Sequence, residues 1–342
     1  MKAVKAKARE RMQGFCRVCP VCNGRVCAGE VPGMGGIGTG ASFRANLDAL
    51  AGWRFNMRLI HGVDAPDTRV ELLGMDLDLP VMAAPIGGVS FNMGGKVSEV
   101  DYITAKLQGC HEKGIVGCTG DGVPPFIHEA GFDAIRSVDG KGIPFIKPWE
   151  DDELFPKLEK ALETGADVIG MDIDAAGLIT LKLMGRPVTP KPVEKLAGII
   201  RRVSARFILK GIMTVDQAKL AVDAGAAAIV VSNHGGRVLD HTPGSAEVLP
   251  EIADAVKGQV AILADGGVRS GADVLKMIAL GADAVMIGRP FSVAVMGGLK
   301  EGVHAYIDQI KSELLSAMVL TGVSRITEAG RGILRPHTGP NP

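Results

Sequence analysis

The chain has 342 residues, enough for one domain of about 250 residues and an extension. Its 38 basic and 38 acidic residues balance, and only 4% of its residues are aromatic, which argues against a nucleic-acid partner. The longest apolar run, about eight residues, is far short of a membrane span, and no apolar core of a secretory signal follows the basic N-terminus. We therefore expect a cytoplasmic protein whose six cysteines are reduced or metal-bound.

A cysteine-rich segment follows a charged helix predicted over residues 1–14. Cys16, Cys19, Cys22 and Cys27 stand within twelve residues, a spacing close to that of ferredoxin-type runs but not identical to it. Four thiolates at this spacing can surround one zinc ion or one iron–sulfur cluster. The alternative is a loop of reduced cysteines without metal. We call residues 1–40 the Cys arm.

Two local elements are predicted before the main repeat begins. Residues Ala41–Ala51 have the pattern of a short helix. Val70–Leu73 and Met75–Leu79 resemble the two strands of a hairpin that covers the bottom of a barrel.

Eight short apolar runs follow, separated by helical patterns and ended by polar or glycine-rich tips. The predicted strands are Pro80–Ala84, Ile115–Thr119, Ile143–Lys147, Val168–Ile173, Phe207–Leu209, Ala227–Val231, Val260–Ala264 and Ala284–Ile287. Repeated strand–tip–helix units predict a parallel sheet covered on both faces. The predicted fold class is an α/β (β/α)8 TIM barrel over residues 41–342, with a closing helix over Gly302–Thr321. The last residues, RPHTGPNP, are expected to be loosely held.

The tips of the seventh and eighth strands carry a phosphate-binding pattern. The seventh ends in Asp265, Gly266, Gly267, Val268 and Arg269, and the eighth ends in Gly288 and Arg289. Glycines allow backbone N–H groups to approach a phosphate, and arginines pair with it through two parallel hydrogen bonds. These two tips are the usual phosphate site of a TIM barrel.

Other strand tips carry residues suited to acid–base chemistry. Histidine is the residue type whose side chain ordinarily exchanges a proton near neutral pH, so His234 could accept a proton from a hydroxyl group, and two glycines after it leave space for a substrate. Arg237 can hold a carboxylate through two hydrogen bonds. Asp172 and Asp174 stand at positions i and i+2 of the fourth strand, so both are expected to face the mouth.

The motifs taken together resemble those of the FMN-dependent α-hydroxy-acid oxidases and dehydrogenases, among them glycolate oxidase and lactate oxidase. The resemblance rests on SNHGGR followed by LD, on LKG upstream, and on DGGVR-SG-DV-K and IGRP downstream. It is dense from Phe207 to Pro290 and weaker from Ser42 to Gly177.

The resemblance implies a role for each tip. His234 would be the base, with Asp174 stabilising its protonated ring, and Arg237 would hold the substrate carboxylate. FMN would contact the tip at Pro85 and Ile86, together with Asp172, Lys210 and Ser232. Its phosphate would lie on Asp265, Gly266, Gly267, Val268, Arg269, Gly288 and Arg289. The implied reaction is oxidation of a lactate-like or glycolate-like 2-hydroxy carboxylate to a 2-oxo acid, in a homotetramer.

The sequence also departs from this family. Two tyrosines that contact the substrate are missing, Lys147 ends the third strand where one of them is expected, and no arginine follows Asp174 at the matching place. The alternatives are a non-oxidative FMN barrel resembling type 2 isopentenyl-diphosphate isomerase, or a flavin and metal protein for electron transfer or redox sensing. The electron acceptor, whether oxygen, a quinone or a protein, is left open.

Overall fold

The computed structural model describes residues 1–337 and contains a closed barrel of eight parallel strands. Counting strands along the whole chain, the barrel strands are β4 (Val81–Ala83), β5 (Val116–Thr119), β6 (Gly142–Ile146), β7 (Val168–Asp172), β8 (Arg206–Ile212), β9 (Ala228–Val231), β10 (Ala261–Ala264) and β11 (Ala284–Ile287). Each pairs with the next in chain order, and β11 pairs with β4 to close the barrel. The predicted TIM barrel is confirmed.

The strands are buried on both faces, which explains their nearly continuous apolar sequences. One set of side chains fills the barrel interior and includes Met82, Val116, Phe145 and Ile208. The alternate set packs outward against the surrounding helices and belongs to a larger apolar cluster. All eight predicted strands exist, with ends displaced by at most three residues.

The helices alternate with the strands. They are α1 (Lys2–Arg11), α2 (Ala41–Ala51), α3 (Val89–Met93), α4 (Glu99–Glu112), α5 (Pro125–Arg136), α6 (Asp151–Leu162), α7 (Ile179–Leu183), α8 (Val193–Arg202), α9 (Val215–Asp223), α10 (Ser245–Val256), α11 (Gly271–Leu280) and α12 (Arg289–Thr321). The last is interrupted at Leu299, whose backbone is not helical (φ 49°, ψ −135°). The predicted closing helix is therefore its second half.

Two antiparallel ribbons accompany the barrel. The predicted hairpin is present as β2 (Val70–Leu72) and β3 (Met75–Leu77), which ends earlier than expected. Its side chains join the barrel interior at the bottom. A second ribbon pairs β1 (Trp53–Phe55) with β12 (Leu334–Pro336), so the start of the predicted loose tail is held in place. Residues 338–342 of that tail lie outside the described residues.

The Cys arm packs on the barrel. Met12, at the end of α1, is fully buried, and Arg11 donates a hydrogen bond from Nη1 to the carbonyl oxygen of Met296 in α12 (2.9 Å). Gly297 allows this approach, since a Cβ there would collide with the backbone of Val4. The arm then runs without regular structure across the barrel mouth to Gly40, the residue before α2.

Candidate active site

A cavity opens at the carboxyl ends of the barrel strands, as expected for a TIM barrel. Its lining combines the predicted strand tips with residues from the Cys arm, α3 and α7. The residues from predicted tips are Pro85, Ile86, Lys147, Asp172, Lys210, His234, Arg237, Asp265, Gly266, Gly267, Val268, Arg269, Gly288 and Arg289. Of the predicted site residues in the barrel, only Asp174 and Ser232 do not line it.

His234 stands in a strained backbone conformation at the tip of β9. Its φ of 56° is in the left-handed region, which costs roughly 1–3 kcal/mol for a residue other than glycine. The hydroxyl of Ser232 accepts a hydrogen bond from the His234 backbone N–H (3.0 Å) and helps to hold this turn. Ser232 is 1% exposed and is not part of the cavity lining, and its contact with FMN stays a prediction.

The side chain of His234 is oriented through one ring nitrogen. Nδ1 lies 3.0 Å from Asp174 Oδ1 and 3.3 Å from Lys210 Nζ. With the proton on Nδ1 donated to Asp174, the lone pair of Nε2 is left for the cavity, and none of residues 1–337 bonds to that nitrogen. This arrangement suits a general base.

Asp174 reaches the site by a route that the sequence interpretation missed. Strand β7 ends at Asp172, and Ile173–Gly177 forms a 3-10 turn, so the expected i, i+2 relationship on one strand is wrong. The turn carries Asp174 behind His234 rather than into the cavity. Asp172 does face the cavity and lies 3.1 Å from Lys210 Nζ.

Burial and acidic neighbours have opposite effects on the pKa of Lys210. Burial by itself would lower the pKa of Lys210, but Asp172, Asp174 and Asp265 raise it above its ordinary value. Burial would raise the pKa of Asp174, but His234 and Lys210 lower it below its ordinary value. Both groups are therefore charged at neutral pH.

Asp172, Asp174 and His234 bring ligand atoms within 4.8 Å of one another, the spacing of a metal site. Lys210 already supplies a positive charge there, 3.1 Å from Asp172 and 3.9 Å from Asp174. The chemistry of this group is therefore that of proton transfer rather than metal binding.

The tips of β10 and β11 fit a phosphate. Gly266 and Gly267 have φ of 92° and 81°, and a Cβ on either would collide with Asn46 of α2. The backbone is therefore open on the cavity side. Nε of Arg269 and Oδ1 of Asp265 are buried without a hydrogen-bond partner, so both are available to a bound group.

Three arginines crowd this end of the cavity. Burial, followed by the charges of Arg237 and Arg269, lowers the pKa of Arg289. The Arg289 guanidinium lies 4.1 Å from the ring centre of Phe43 and donates hydrogen bonds to the carbonyl oxygens of Met34 and Gly35 (2.8 and 2.9 Å). An anionic group such as the phosphate of FMN would relieve the repulsion.

Arg237 is also tied to the arm. Nη1 donates to the carbonyl oxygens of Gly33 (2.6 Å) and Gly35 (3.2 Å), and Nη2 donates to Asn92 Oδ1 (3.0 Å). None of residues 1–337 accepts a hydrogen bond from its Nε–H. The edge formed by Nε and Nη2 can therefore still hold a carboxylate side-on.

Several cavity residues were not identified from the sequence. Apolar side chains from three segments form one wall: Phe91, Val123, Ile127, Leu178, Leu181 and Met184. Leu178, Leu181 and Met184 belong to the segment after β7, where the sequence analysis noted only that an arginine is missing. The sequence shows that these side chains are apolar, but it does not show that they line the cavity.

The four cysteines of the arm are partly buried and separate. Among residues 1–337 no three of them bring their sulfur atoms within 4.8 Å of one another. Burial raises the pKa of Cys16 and of Cys27, which favours the protonated thiol. Cys22 Sγ lies 3.8 Å from Arg269 Nη2, so the arm reaches the phosphate end of the cavity.

Comparison with known proteins agrees with this geometry. The profile of the FMN-dependent dehydrogenase family matches residues 33–180 and 183–336. L-lactate oxidase of Lactobacillus jensenii is 30% identical over 325 residues, covering 86% of this chain and 78% of that enzyme. L-lactate dehydrogenase of Pseudomonas paraeruginosa (strain DSM 24068 / PA7) is 54% identical over 122 residues, but these cover only 36% of this chain and 32% of that enzyme.

Solved structures agree as well. Mandelate oxidase with 3,3-difluoro-2-hydroxy-3-phenylpropionic acid superposes with a TM-score of 0.80 at 28% identity, covering 99% of each chain. Mandelate oxidase with benzoyl-formic acid gives a TM-score of 0.79 at 28% identity, covering 99% of this chain and 98% of that one. Residues 1–32, which hold the four cysteines, lie outside the family profile. The chain therefore belongs to the FMN-dependent dehydrogenase family, the FMN-dependent α-hydroxy-acid oxidases and dehydrogenases that its motifs predicted.

Proposed function

We propose that this enzyme oxidises an (S)-2-hydroxy monocarboxylate of the lactate type to the 2-oxo acid, with His234 as the base. The observation that carries the proposal is the pairing of His234 Nδ1 with Asp174 (3.0 Å), which leaves Nε2 for a substrate hydroxyl. Asp174 acts through His234 and stabilises the imidazolium that forms when the hydroxyl proton is accepted.

FMN would occupy the cavity between the tips of β4 and β10. Pro85 and Ile86 would contact its ring system, Lys210 and Asp172 would lie at its polar edge, and the phosphate would be held between Gly266 and Arg269 and by Gly288 and Arg289. When bound, FMN supplies a two-electron acceptor. The backbone supporting Ile86 is itself fixed, because the buried Lys106 donates from Nζ to the carbonyl oxygens of Ala84 (3.1 Å) and Ile86 (3.4 Å).

Arg237 would hold the substrate carboxylate through its Nε and Nη2 edge. The hydrogen bonds from Nη1 to Gly33 and Gly35 fix the plane of the guanidinium, so little side-chain freedom is lost when the substrate binds. The apolar wall of Leu178, Leu181 and Met184 would accept the substrate side chain. We infer an unbranched or aromatic apolar side chain rather than a charged one.

The Cys arm would bind one zinc ion or iron–sulfur cluster. Four thiols in twelve residues support this proposal. Loading would require the thiols to move together from their present positions. An iron–sulfur cluster this close to Arg269 would favour a protein or quinone as the electron acceptor, and zinc would favour a structural role.

Cytoplasmic location and a homotetramer remain predictions. Within residues 1–337, every helix is too short or too polar to span a bilayer.

Anaerobic mixing of the purified, FMN-loaded enzyme with lactate, glycolate, mandelate and longer 2-hydroxy acids tests the proposal. We expect at least one of these acids to bleach the visible absorption band of the oxidised flavin. No bleaching by any of them would refute the proposed function. Repeating the reaction with oxygen, a quinone or a protein acceptor distinguishes an oxidase from a dehydrogenase.

A further inference from the structure

At the wall of the active-site cavity is a buried lysine whose ammonium group has no hydrogen-bond partner among residues 1–337. Lys147 directly follows β6, is 7% exposed and lines the cavity. Its nearest carboxylate oxygen is Asp172 Oδ2 at 4.0 Å, and none of residues 1–337 accepts a hydrogen bond from its Nζ. Lysine is almost never buried unless it is paired, because desolvation of an ammonium group is costly.

Other buried lysines in the chain are bonded. Lys106 donates to two backbone carbonyl oxygens, and Lys157 lies 3.0 Å from Asp121 and 2.8 Å from Glu153. Lys210 lies 3.1 Å from Asp172. Among the buried lysines of residues 1–337, Lys147 is thus the exception, and like Lys210 it lines the cavity.

The backbone of Lys147 is held firmly in this position. Its N–H donates to Asp121 Oδ2 (3.0 Å), which also accepts from Trp149 Nε1 (2.6 Å). The carbonyl oxygen of Lys147 accepts from the Trp149 backbone N–H (2.8 Å). Such anchoring holds at the cavity wall a cation that has one long ion pair and no hydrogen bond among residues 1–337, so a bound group can supply the missing partner.

The position of Lys147 indicates which part of a substrate it meets. Asp172, its neighbour, is 3.1 Å from Lys210, which in turn is 3.3 Å from His234 Nδ1. Arg237 is bonded instead to the arm and to Asn92. Lys147 and His234 thus line one cavity and are linked through Asp172 and Lys210, whereas the donors of Arg237 engage the arm and Asn92.

We propose that Lys147 Nζ donates a hydrogen bond to the C2 oxygen of the 2-hydroxy acid. This deepens the proposed function and depends on it. The hydroxyl proton passes to His234 Nε2, and the C2–H bond breaks with its hydrogen and electron pair going to the two-electron acceptor that FMN would supply. Lys147 stays protonated throughout and stabilises the negative charge that develops on the C2 oxygen. The same hydrogen bond holds the carbonyl oxygen of the 2-oxo acid product.

The test compares two anions that differ only at C2. Pyruvate has a C2 oxygen, and propionate has the same carboxylate and nearly the same size without it. Their affinities for the FMN-loaded enzyme are measured from the change in flavin absorption on titration, which needs no turnover. Lys147→Met should weaken pyruvate binding roughly 10- to 100-fold, the size of a lost charged hydrogen bond, and leave propionate binding unchanged.

Two further variants separate this role from stability. Lys157→Met removes a buried ammonium from the same Asp121 network but lies outside the cavity lining, so its pyruvate-to-propionate preference should stay at the wild-type value. Lys147→Gln keeps a neutral donor and should give an intermediate preference; it replaces Lys147→Met if that variant does not fold.

Three results would overturn the proposal. An unchanged pyruvate-to-propionate preference in the Lys147 variants would show that the ammonium does not contact the C2 oxygen. A loss confined to oxaloacetate, with pyruvate unaffected, would assign Lys147 to a second carboxylate of a dicarboxylic substrate. If the wild-type enzyme bleaches with a 2-hydroxy acid yet distinguishes neither anion, this proposal fails while the proposed function stands.

Discussion

His234 Nδ1 lies 3.0 Å from Asp174 Oδ1, and Asp174 itself has no surface in the cavity. In the proposed reaction the carboxylate would act on a substrate through the imidazole. It would fix which nitrogen carries the proton and stabilise the ring once it is doubly protonated. Lys210, 3.9 Å from Asp174 Oδ2, helps to keep that carboxylate ionised.

Replacement of the base gives the first prediction. His234→Ala should lower substrate-driven flavin reduction by about 10²–10⁴-fold or more while FMN stays bound, because the imidazole acts on the substrate. Stopped-flow absorption under anaerobic conditions measures the rate. Asp174→Asn, which keeps the shape but removes the charge, should lose at least about 10²-fold. A near wild-type rate in His234→Ala would assign the base elsewhere.

The carboxylate clamp gives the second prediction. Arg237→Lys keeps the positive charge but loses the planar pair of donors and the bonds to Gly33 and Gly35, so substrate affinity should fall by roughly 10- to 100-fold. The dependence of the flavin reduction rate on substrate concentration measures it. Arg289→Lys is the matched control, since it should weaken FMN binding instead. An unchanged concentration dependence in Arg237→Lys would mean that another cation holds the carboxylate.

The apolar wall gives the third prediction. Leu181 is 2% exposed and lines the cavity on the segment after β7. Leu181→Ala should enlarge the side-chain pocket and shift kcat/KM from lactate toward mandelate by about 10-fold, within the range of one to a few methylene groups. The exposed Leu183 on the same helix is the control, and Leu183→Ala should leave the ratio unchanged. Equal ratios in both variants would place the substrate side chain elsewhere.

The Cys arm gives the fourth prediction. Protein purified without air should contain about one zinc ion or one cluster per chain, since thiolate–metal bonds contribute substantially to the folding of so short a segment. Elemental analysis and the visible spectrum decide between them. Cys19→Ser should remove most of the metal, whereas Cys110→Ser, a buried cysteine outside the arm, should not. A metal-free arm with four reactive thiols would contradict the prediction.

The fifth prediction concerns stability at high pH. Burial lowers the pKa of Lys106 to about 8, from the ordinary lysine value of 10.5. Between these values the unfolded chain holds more protons than the folded one, so the free energy of unfolding should rise with pH by roughly 3 kcal/mol from this group. Below pH 8 Lys106 is protonated in both the folded and the unfolded chain, so this group adds no pH dependence to the free energy of unfolding there.

Urea unfolding at several pH values, compared with Lys106→Arg, measures the effect of Lys106. The arginine stays charged over this range and should lack the rise, while other titrating groups are common to both proteins. Parallel curves for the two proteins would show that Lys106 is not desolvated as described.

The sequence by itself determined the barrel, the tips that carry chemistry and the family. Eight short apolar runs with helical patterns between them allow few other folds, because each run must be buried on both faces. The order of strands in a barrel then places Lys210, His234 and Asp265 at one mouth without any knowledge of side-chain contacts. The Gly-rich tips predicted the phosphate end for the same reason.

The tertiary structure decided what lies behind and beside those tips. Asp174 is placed by a 3-10 turn that the periodicity of the sequence does not predict, and the hydroxyl of Ser232 accepts a hydrogen bond from the backbone N–H of His234. Arg237 is fixed by carbonyl oxygens more than 200 residues away in the chain, at Gly33 and Gly35. Lys147 lies beside Asp172 because β6 pairs with β7 and because the buried Asp121 accepts a hydrogen bond from the Lys147 backbone N–H. These contacts join residues that are distant in the chain, so local sequence does not predict them.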